Sequence, residues 1–382
     1  MGFHEFSSPY DWSRIAAYKR TAKAAFGGMI DLSVGSPVDP VPDSVRKALA
    51  VAANDPNAYG YPATAGTADL RAAIAEWFSA ARNVDLQAIH ADVVPTVGSK
   101  EGVALMASLL HFGEDDVVVQ PKVSYPTYEI GTQLAGAQVL KVDDVADVAS
   151  WRNVPGVKAV WVNSPCNPTG EVYSAERMAG IVAAAREIGA VVLSDECYAL
   201  MQWRGATNSA DDDPLQSTPC ALRSDVCAGF AEGVLVLYSL SKQSNMAGYR
   251  TAFIAGDESL IASMSAYRKQ IGQIIPGPVQ AAMAAGLRDL ESVKVQHARY
   301  RERLGVLVSA LRAYGYCTDM PDGALYVWVR AKSGDCWTDM EQLAKIGIIA
   351  SPGEFYGAPE CLRFSATASD EAIASAAERL AR

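Results

Sequence analysis

Ser239-Leu240-Ser241-Lys242-Gln243-Ser244-Asn245-Met246-Ala247-Gly248-Tyr249-Arg250 is the most telling stretch of this chain. It follows Val234-Leu235-Val236-Leu237-Tyr238, an apolar run of strand length without polar alternation, as expected of a strand buried on both faces. A lysine set where such a strand ends, between serines and ahead of an arginine, is an odd thing for a core to build. Taken alone, the motif also suits a solvated surface turn. The rest of the chain has to choose.

Outward from that stretch, strand and helix patterns alternate. Toward the N-terminus, short apolar runs predict strands over 93–96, 117–119, 138–142, 159–162 and 190–193, and another follows at 251–255. Between them, helical spacing predicts helices over 43–53, 67–81, from 99 to about 111, near 126–135 and over 174–188. Such alternation predicts an α/β domain around a mostly parallel central sheet. After about residue 275 the pattern changes: one long helical stretch (278–314), a strand over 324–329, a helix near 338–346, a strand over 361–365 and a last helix. This predicts a smaller α+β domain. The expected division is an arm over 1–40 that packs with the small domain, a large domain over 41–274 and a small domain over 275–382. In the arm, Trp12, Ile15, Tyr18 and Lys19 predict one short amphipathic turn. Residues 204–232, acidic with Pro and Ser, predict an exposed loop with a short helix.

Composition narrows the function classes. The 382 residues are 50% hydrophobic, enough for one large core or two ordinary ones. A formal net charge of −10 argues against nucleic-acid binding, which needs a basic face. No apolar run approaches the ~18 residues of a membrane span, and the N-terminus lacks an export-type apolar segment, so a cytoplasmic enzyme is expected. Seven cysteines without a Cys-x-x-Cys pair read as reduced thiols. Four histidines without metal-ligand spacing predict no zinc site.

In open α/β sheets, ligands bind beyond the carboxyl ends of the strands. Four motifs fall there. Gly98-Ser99-Lys100 sits at a strand-to-helix junction, where free N–H groups favour a phosphate, although for the triplet alone an ordinary N-cap serine is the commoner explanation. Asn167-Pro168-Thr169-Gly170 reads as a turn or as part of a site. Asp195 follows an apolar strand, so its carboxylate is expected to be buried and in need of a partner, with Tyr198 three residues on. Lys242, held near buried surface, becomes a usable amine nucleophile toward carbonyl compounds. A lysine, an anion cradle from Ser99, Ser239 and Arg250, and a buried aspartate for a pyridinium nitrogen are what pyridoxal 5'-phosphate requires.

From about Asp31 onward the sequence resembles the fold-type I pyridoxal-phosphate enzymes, and within them the class I/II aminotransferases. The resemblance implies that Lys242 forms the Schiff base and shuttles the substrate proton, and that Asp195 keeps the ring nitrogen protonated. It implies that Tyr198 and Asn167 donate to the cofactor's phenolic oxygen, and that Tyr125 stacks on the ring. Gly98, Ser99, Lys100, Ser239, Ser241 and Arg250 would surround the phosphate, with a lysine at 100 where some relatives have a small residue. Tyr61 would reach the phosphate of a second subunit, making the protein a homodimer with shared sites. Arg363 would grip the substrate α-carboxylate, and Gly35 would let the arm approach the substrate; Asn167 is also expected beside it.

Several stretches resemble more narrowly the actinobacterial-type N-succinyldiaminopimelate aminotransferases: Asp31-Leu32-Ser33-Val34-Gly35-Ser36-Pro37-Val38-Asp39-Pro40, Ser194-Asp195-Glu196-Cys197-Tyr198, Ser241 to Arg250, and Pro276-Gly277-Pro278-Val279-Gln280-Ala281-Ala282-Met283. The similarity implies amino exchange between glutamate and an N-succinylated oxo acid, in two half-reactions. Such substrates carry a distal acid, for which Arg268 and Lys269 are the candidates. Other class I/II aminotransferases (aspartate, aromatic or LL-diaminopimelate type) and C–S β-lyases use the same constellation. The Ser239-to-Lys242 spacing also fits a penicillin-binding Ser-x-x-Lys, with Lys332-Ser333-Gly334 as its third motif, but the required Ser-x-Asn between them is absent. A DNA-binding regulator on the same scaffold would need a module for which residues 1–30 have no room.

Overall fold

The computed structural model describes residues 11–56, 58–203 and 218–382. The chain forms two compact units. The smaller holds the N-terminal segment through Gly35, Glu302–Met320 and Tyr326–Arg382; the larger holds Ser36–Arg301 and Pro321–Leu325. The division therefore falls inside the helix Leu290–Ala313 rather than near residue 275, and residues 36–40 go with the larger unit. The reason is packing: the helix Gly277–Arg288 lies on the helices Asp43–Ala53 and Ala68–Arg82 and buries Ala282, Met283 and Leu287 in their core.

The N-terminal segment belongs to the smaller unit because its backbone is stitched there. Strand β1 (Ile30–Asp31) pairs in parallel with strand β10 (Ile348–Ile349), and Ser365 N donates to Leu32 O at 2.8 Å. Ahead of it runs a helix, Ile15–Ala24, longer than the single turn expected. Its narrow buried face, Ile15 and Ala22, gives little periodic signal.

The larger unit is built on a seven-stranded sheet: β2 (Ala91–Val97), β3 (Val117–Pro121), β4 (Gln138–Val142), β5 (Val157–Asn163), β6 (Val191–Asp195), β7 (Val234–Ser239) and β8 (Thr251–Asp257). Their spatial order is β2-β8-β7-β6-β5-β3-β4. Every pair is parallel except those made by β8, which runs against both of its neighbours. Because side chains alternate across a strand, the sheet feeds two cores. Val160, Val192, Val234, Val236 and Phe253 face one, under the helices Ala68–Arg82 and Ala175–Glu187. Trp161, Leu193, Leu235, Leu237 and Ile254 face the other, with Val103, Met106 and Met264. Each such side chain contributes about 1.5–3 kcal/mol when fully buried.

Three further departures from the sequence expectations have local causes. A helix, Glu258–Gln270, follows β8; Asp257 caps it, its carboxylate accepting from Ser259 N and Leu260 N. The helical stretch over 278–314 is broken at Asp289 into two helices. The expected exposed loop over 204–232 lies partly outside the described residues, and its described part is not exposed at first. Thr218, Cys220, Ala221 and Leu222 are buried, because Arg82 reaches the Thr218 carbonyl at 2.9 Å and Ala221 N donates to Glu196 at 2.8 Å. The short helix Ser224–Cys227 follows. Among the described residues no helix is long and apolar enough to cross a membrane. The smaller unit closes with a three-stranded antiparallel sheet: β9 (Tyr326–Arg330), β11 (Ser351–Pro352) and β12 (Cys361–Ser365), with β12 central.

Candidate active site

One edge of the large sheet collects most of the expected site residues. β2 ends at Val97, ahead of Gly98, Ser99 and Lys100. β5 ends at Asn163, ahead of Asn167; β6 ends at Asp195 itself; β7 ends at Ser239, ahead of Lys242. β8 is reversed, so its first residue, Thr251, pairs with Val97, and Arg250 arrives at the same edge from the other direction. Tyr125 follows β3 at that edge. The antiparallel strand is what makes one cluster of residues that lie far apart in sequence.

Asp195 is buried with neutral donors on both oxygens of its carboxylate. Tyr128 Oη donates to Oδ2 at 2.8 Å and Cys197 N donates to Oδ1 at 3.2 Å. Its carbonyl accepts from Asn163 Nδ2 at 2.9 Å, and Asn163 Oδ1 accepts from Asn167 N at 2.8 Å, so the turn carrying Asn167 is tied to the strand carrying Asp195. Burial pushes the Asp195 carboxyl above its ordinary value, while the Tyr128 and Cys197 hydrogen bonds pull it down. Tyr198, one turn on, is buried as well. The Cys197 thiol between them is pushed up by burial and by the Asp195 charge, and pulled down by the Ser99 hydroxyl and the Lys242 ammonium.

The residue after Asp195 has a structural role. Glu196 forms a fully buried ion pair with Arg82 at 2.5 Å and also accepts from Ser194 Oγ at 3.0 Å. Burial opposes the Arg82 charge, but Glu196 outweighs it and the guanidinium is held above its ordinary value.

The expected anion cradle has a specific construction. Ser99 opens the helix Ser99–Leu109 behind Gly98, whose φ of +79° favours glycine. A Cβ at residue 98 would lie 2.6 Å from Arg250 Cζ, so the guanidinium packs against bare backbone. Arg250, itself at φ +57°, donates from Nη1 to Ala247 O at 2.9 Å; among the described residues no carboxylate pairs with it. Ser239 caps the short helix Leu240–Gln243, accepting from Ser241 N at 3.1 Å and donating to Thr251 O at 3.0 Å. Lys242, half-buried, is the third residue of that helix. Lys100 is exposed, and so is Tyr61, entirely.

In the smaller unit, Arg363 is buried on β12. Its guanidinium lies 4.0 Å from the Tyr326 ring and 4.7 Å from the Tyr356 ring, and Nη2 donates to Ser33 O at 2.8 Å. Gly35 lies beside the same ring: a Cβ there would be 3.0 Å from Tyr326 Cζ. The expectation for Arg268 is overturned. It is fully buried, paired with Glu101 at 2.8 Å and directed to the carbonyls of Pro95 and Gln273, which fastens the helix Glu258–Gln270 to the sheet. Lys269 is exposed on that helix.

The profile of the family described as aminotransferase class I and II matches residues 27–380. The chain belongs to that family. The 4-dedimethylamino-4-oxo-anhydrotetracycline transaminase of Streptomyces rimosus is 40% identical to this aminotransferase, over 97% of this chain and 98% of its own. A probable aminotransferase of Mycobacterium tuberculosis is 39% identical over 97% of this chain and 84% of its own. The structure of a probable N-succinyldiaminopimelate aminotransferase from Thermus thermophilus superimposes with a TM-score of 0.81 at 28% identity, covering 97% of this chain and 99% of that one. The architecture is that of fold type I, and the cofactor of the family is pyridoxal 5'-phosphate.

The residues of this aminotransferase fit that cofactor. Asp195 is a buried carboxylate with hydrogen-bond donors but, among the described residues, no ion pair, which suits a pyridinium N–H. Arg250 is a cation without a carboxylate beside a helix N-terminus, which suits a phosphate. Tyr128 was absent from the sequence expectations. It lies three residues beyond Tyr125 in the short helix Thr127–Leu134, where a tyrosine on the inner face reads as core.

Proposed function

We propose that this aminotransferase exchanges the amino group of glutamate with N-succinyl-2-amino-6-oxopimelate, the oxo form of N-succinyl-LL-2,6-diaminopimelate, as in lysine biosynthesis. What supports the substrate is the likeness along nearly the whole chain to the Thermus protein of that name. What supports the chemistry is the meeting of Asp195, Lys242 and Arg250 at one sheet edge.

Bound pyridoxal phosphate supplies an aldehyde that accepts the amino group and a ring that draws electron density from the α-carbon. Lys242 Nζ would hold the aldehyde carbon at rest; released when the substrate amine takes its place there, it would be the free amine that takes the α-proton and returns it on the other side of the transferred nitrogen. Asp195 would hold the ring N–H. Tyr198 and Asn167 would donate to the phenolic oxygen, with Tyr125 against the ring. Ser99, Ser239, Ser241 and Arg250 would hold the phosphate, with the backbone at Gly98 and Lys100 nearby. Arg363 holds the α-carboxylate with its flat fork, which the Tyr326 and Tyr356 rings keep in one plane. Full exposure of Tyr61 suits a residue that completes the phosphate site of a second copy, in a homodimer.

A second reading has its own support. The relative at 40% identity is named for a 4-oxo-anhydrotetracycline, an acceptor unlike an amino-acid-derived oxo acid. Purified protein, loaded with pyridoxal phosphate and supplied with glutamate, is tested against the N-succinylated oxo acid, oxaloacetate, pyruvate, aromatic oxo acids and a polycyclic ketone. The proposal expects the highest kcat/KM with the N-succinylated acid. Preference for the polycyclic ketone supports the second reading, and pyruvate released from cystathionine without an acceptor would point to a β-lyase.

A further inference from the structure

We infer that Tyr128 is the positioning residue of Asp195: its hydroxyl fixes the rotation of the carboxylate and holds it ionised toward the cofactor's ring nitrogen. This rests on the reading of Asp195 as the partner of that nitrogen.

The geometry is specific. Tyr128 is fully buried, and its Oη donates to Asp195 Oδ2 at 2.8 Å. Its ring stacks on Trp161 with centroids 4.5 Å apart and an interplanar angle of 17°. Its edge meets Tyr125 at 5.7 Å and 83°. Trp161 is inside β5 and Tyr125 follows β3, so the phenol is gripped from two strands while it bonds the end of a third. With Cys197 N on Oδ1, both carboxylate oxygens are held by donors and the rotation is fixed.

These donors are neutral and sit where burial disfavours the anion. Tyr128 is itself pushed well above its ordinary value by burial and by the Asp195 charge, so the phenol stays protonated and remains a donor. Without its O–H, the proton shared between Asp195 and the ring nitrogen moves toward the carboxylate. The ring then loses the positive charge that draws electrons from the α-carbon.

The test loads wild type, Tyr128→Phe, Tyr128→His and Asp195→Ala with pyridoxal phosphate carrying nitrogen-15 in the ring, and reads the ring-nitrogen NMR shift together with kcat and KM. Tyr128→Phe keeps the stack on Trp161 and removes only the donor. Its nitrogen signal is expected to move toward unprotonated pyridine, with kcat lower by roughly tenfold, about one pKa unit of lost coupling, and KM nearly unchanged. Tyr128→His, which keeps a ring donor, should lie between Phe and wild type. A Tyr128→Phe signal at the wild-type position, or a His variant no different from Phe, overturns the inference; should the Phe variant not fold, a His signal at the wild-type position with lowered kcat overturns it too. Asp195→Ala separates the two readings. If its signal moves and that of Tyr128→Phe does not, only the role of Tyr128 fails; if neither moves, the assignment of Asp195 fails.

Discussion

The guanidinium of Arg250 occupies the space that a side chain on residue 98 would need, with its Cζ only 2.6 Å from where that Cβ would stand. Gly98 therefore does two things at once: it turns the chain from β2 into the helix Ser99–Leu109, and it lets an arginine from a distant stretch lie against that turn. Gly98→Ala should evict Arg250 and strain a backbone at φ +79°. Losing one charge-assisted bond to phosphate costs about 1.5–3 kcal/mol, so pyridoxal phosphate should dissociate roughly tenfold to a hundredfold more readily. Fluorescence titration of the cofactor-free protein measures this.

Arg82 and Glu196 form a buried pair directly behind Asp195. Removing one charge strands the other, at about 3–5 kcal/mol. Glu196→Gln should lower the unfolding free energy by about that amount, read as a lower urea midpoint at unchanged slope. An unchanged midpoint would show that the pair contributes nothing net.

Arg363 is fixed between two tyrosine rings, a placement that suits a flat guanidinium and not an ammonium. Arg363→Lys should raise KM for glutamate by about tenfold or more, the worth of ~1.4 kcal/mol, and leave cofactor affinity unchanged. Steady-state kinetics and the same titration separate the two effects.

His297 is packed on Trp203, with ring centroids 4.6 Å apart, and lies 3.2 Å from the Gln202 carbonyl. Burial lowers its folded value below the ordinary 6.5, with Arg301 adding to the effect and the Gln202 carbonyl opposing it. The neutral ring is the one the fold accepts. Its contribution is therefore complete above pH 6.5 and is lost as pH falls from there through the lower folded value. Urea midpoints measured across that range should fall for wild type more steeply than for His297→Phe.

Much of this was legible in the sequence, and the exceptions share a cause. Strands such as 138–142 and 361–365 were readable to the residue because short runs of mixed apolar and polar residues, Gln138-Val139-Leu140-Lys141-Val142 and Cys361-Leu362-Arg363-Phe364-Ser365, lie between turn residues. The helix Glu258–Gln270 was not, since only Ile261, Met264 and Arg268 turn inward. Arg268 shows the limit for charges: a cation in a polar helix gives no sign of whether it faces water or Glu101. Residues 218–222 read as loop because their burial depends on Arg82, far away in sequence. Tyr128 escaped notice for the same reason; its partner, Asp195, is brought to it only by the sheet.

The proposed chemistry stands on Lys242 as the amine that carries the cofactor. Borohydride reduction of the pyridoxal-phosphate-loaded protein, followed by peptide mass mapping, tests this directly. One pyridoxyl adduct is expected, on the peptide containing Lys242. An adduct on another lysine, with Lys242 unmodified, would contradict it.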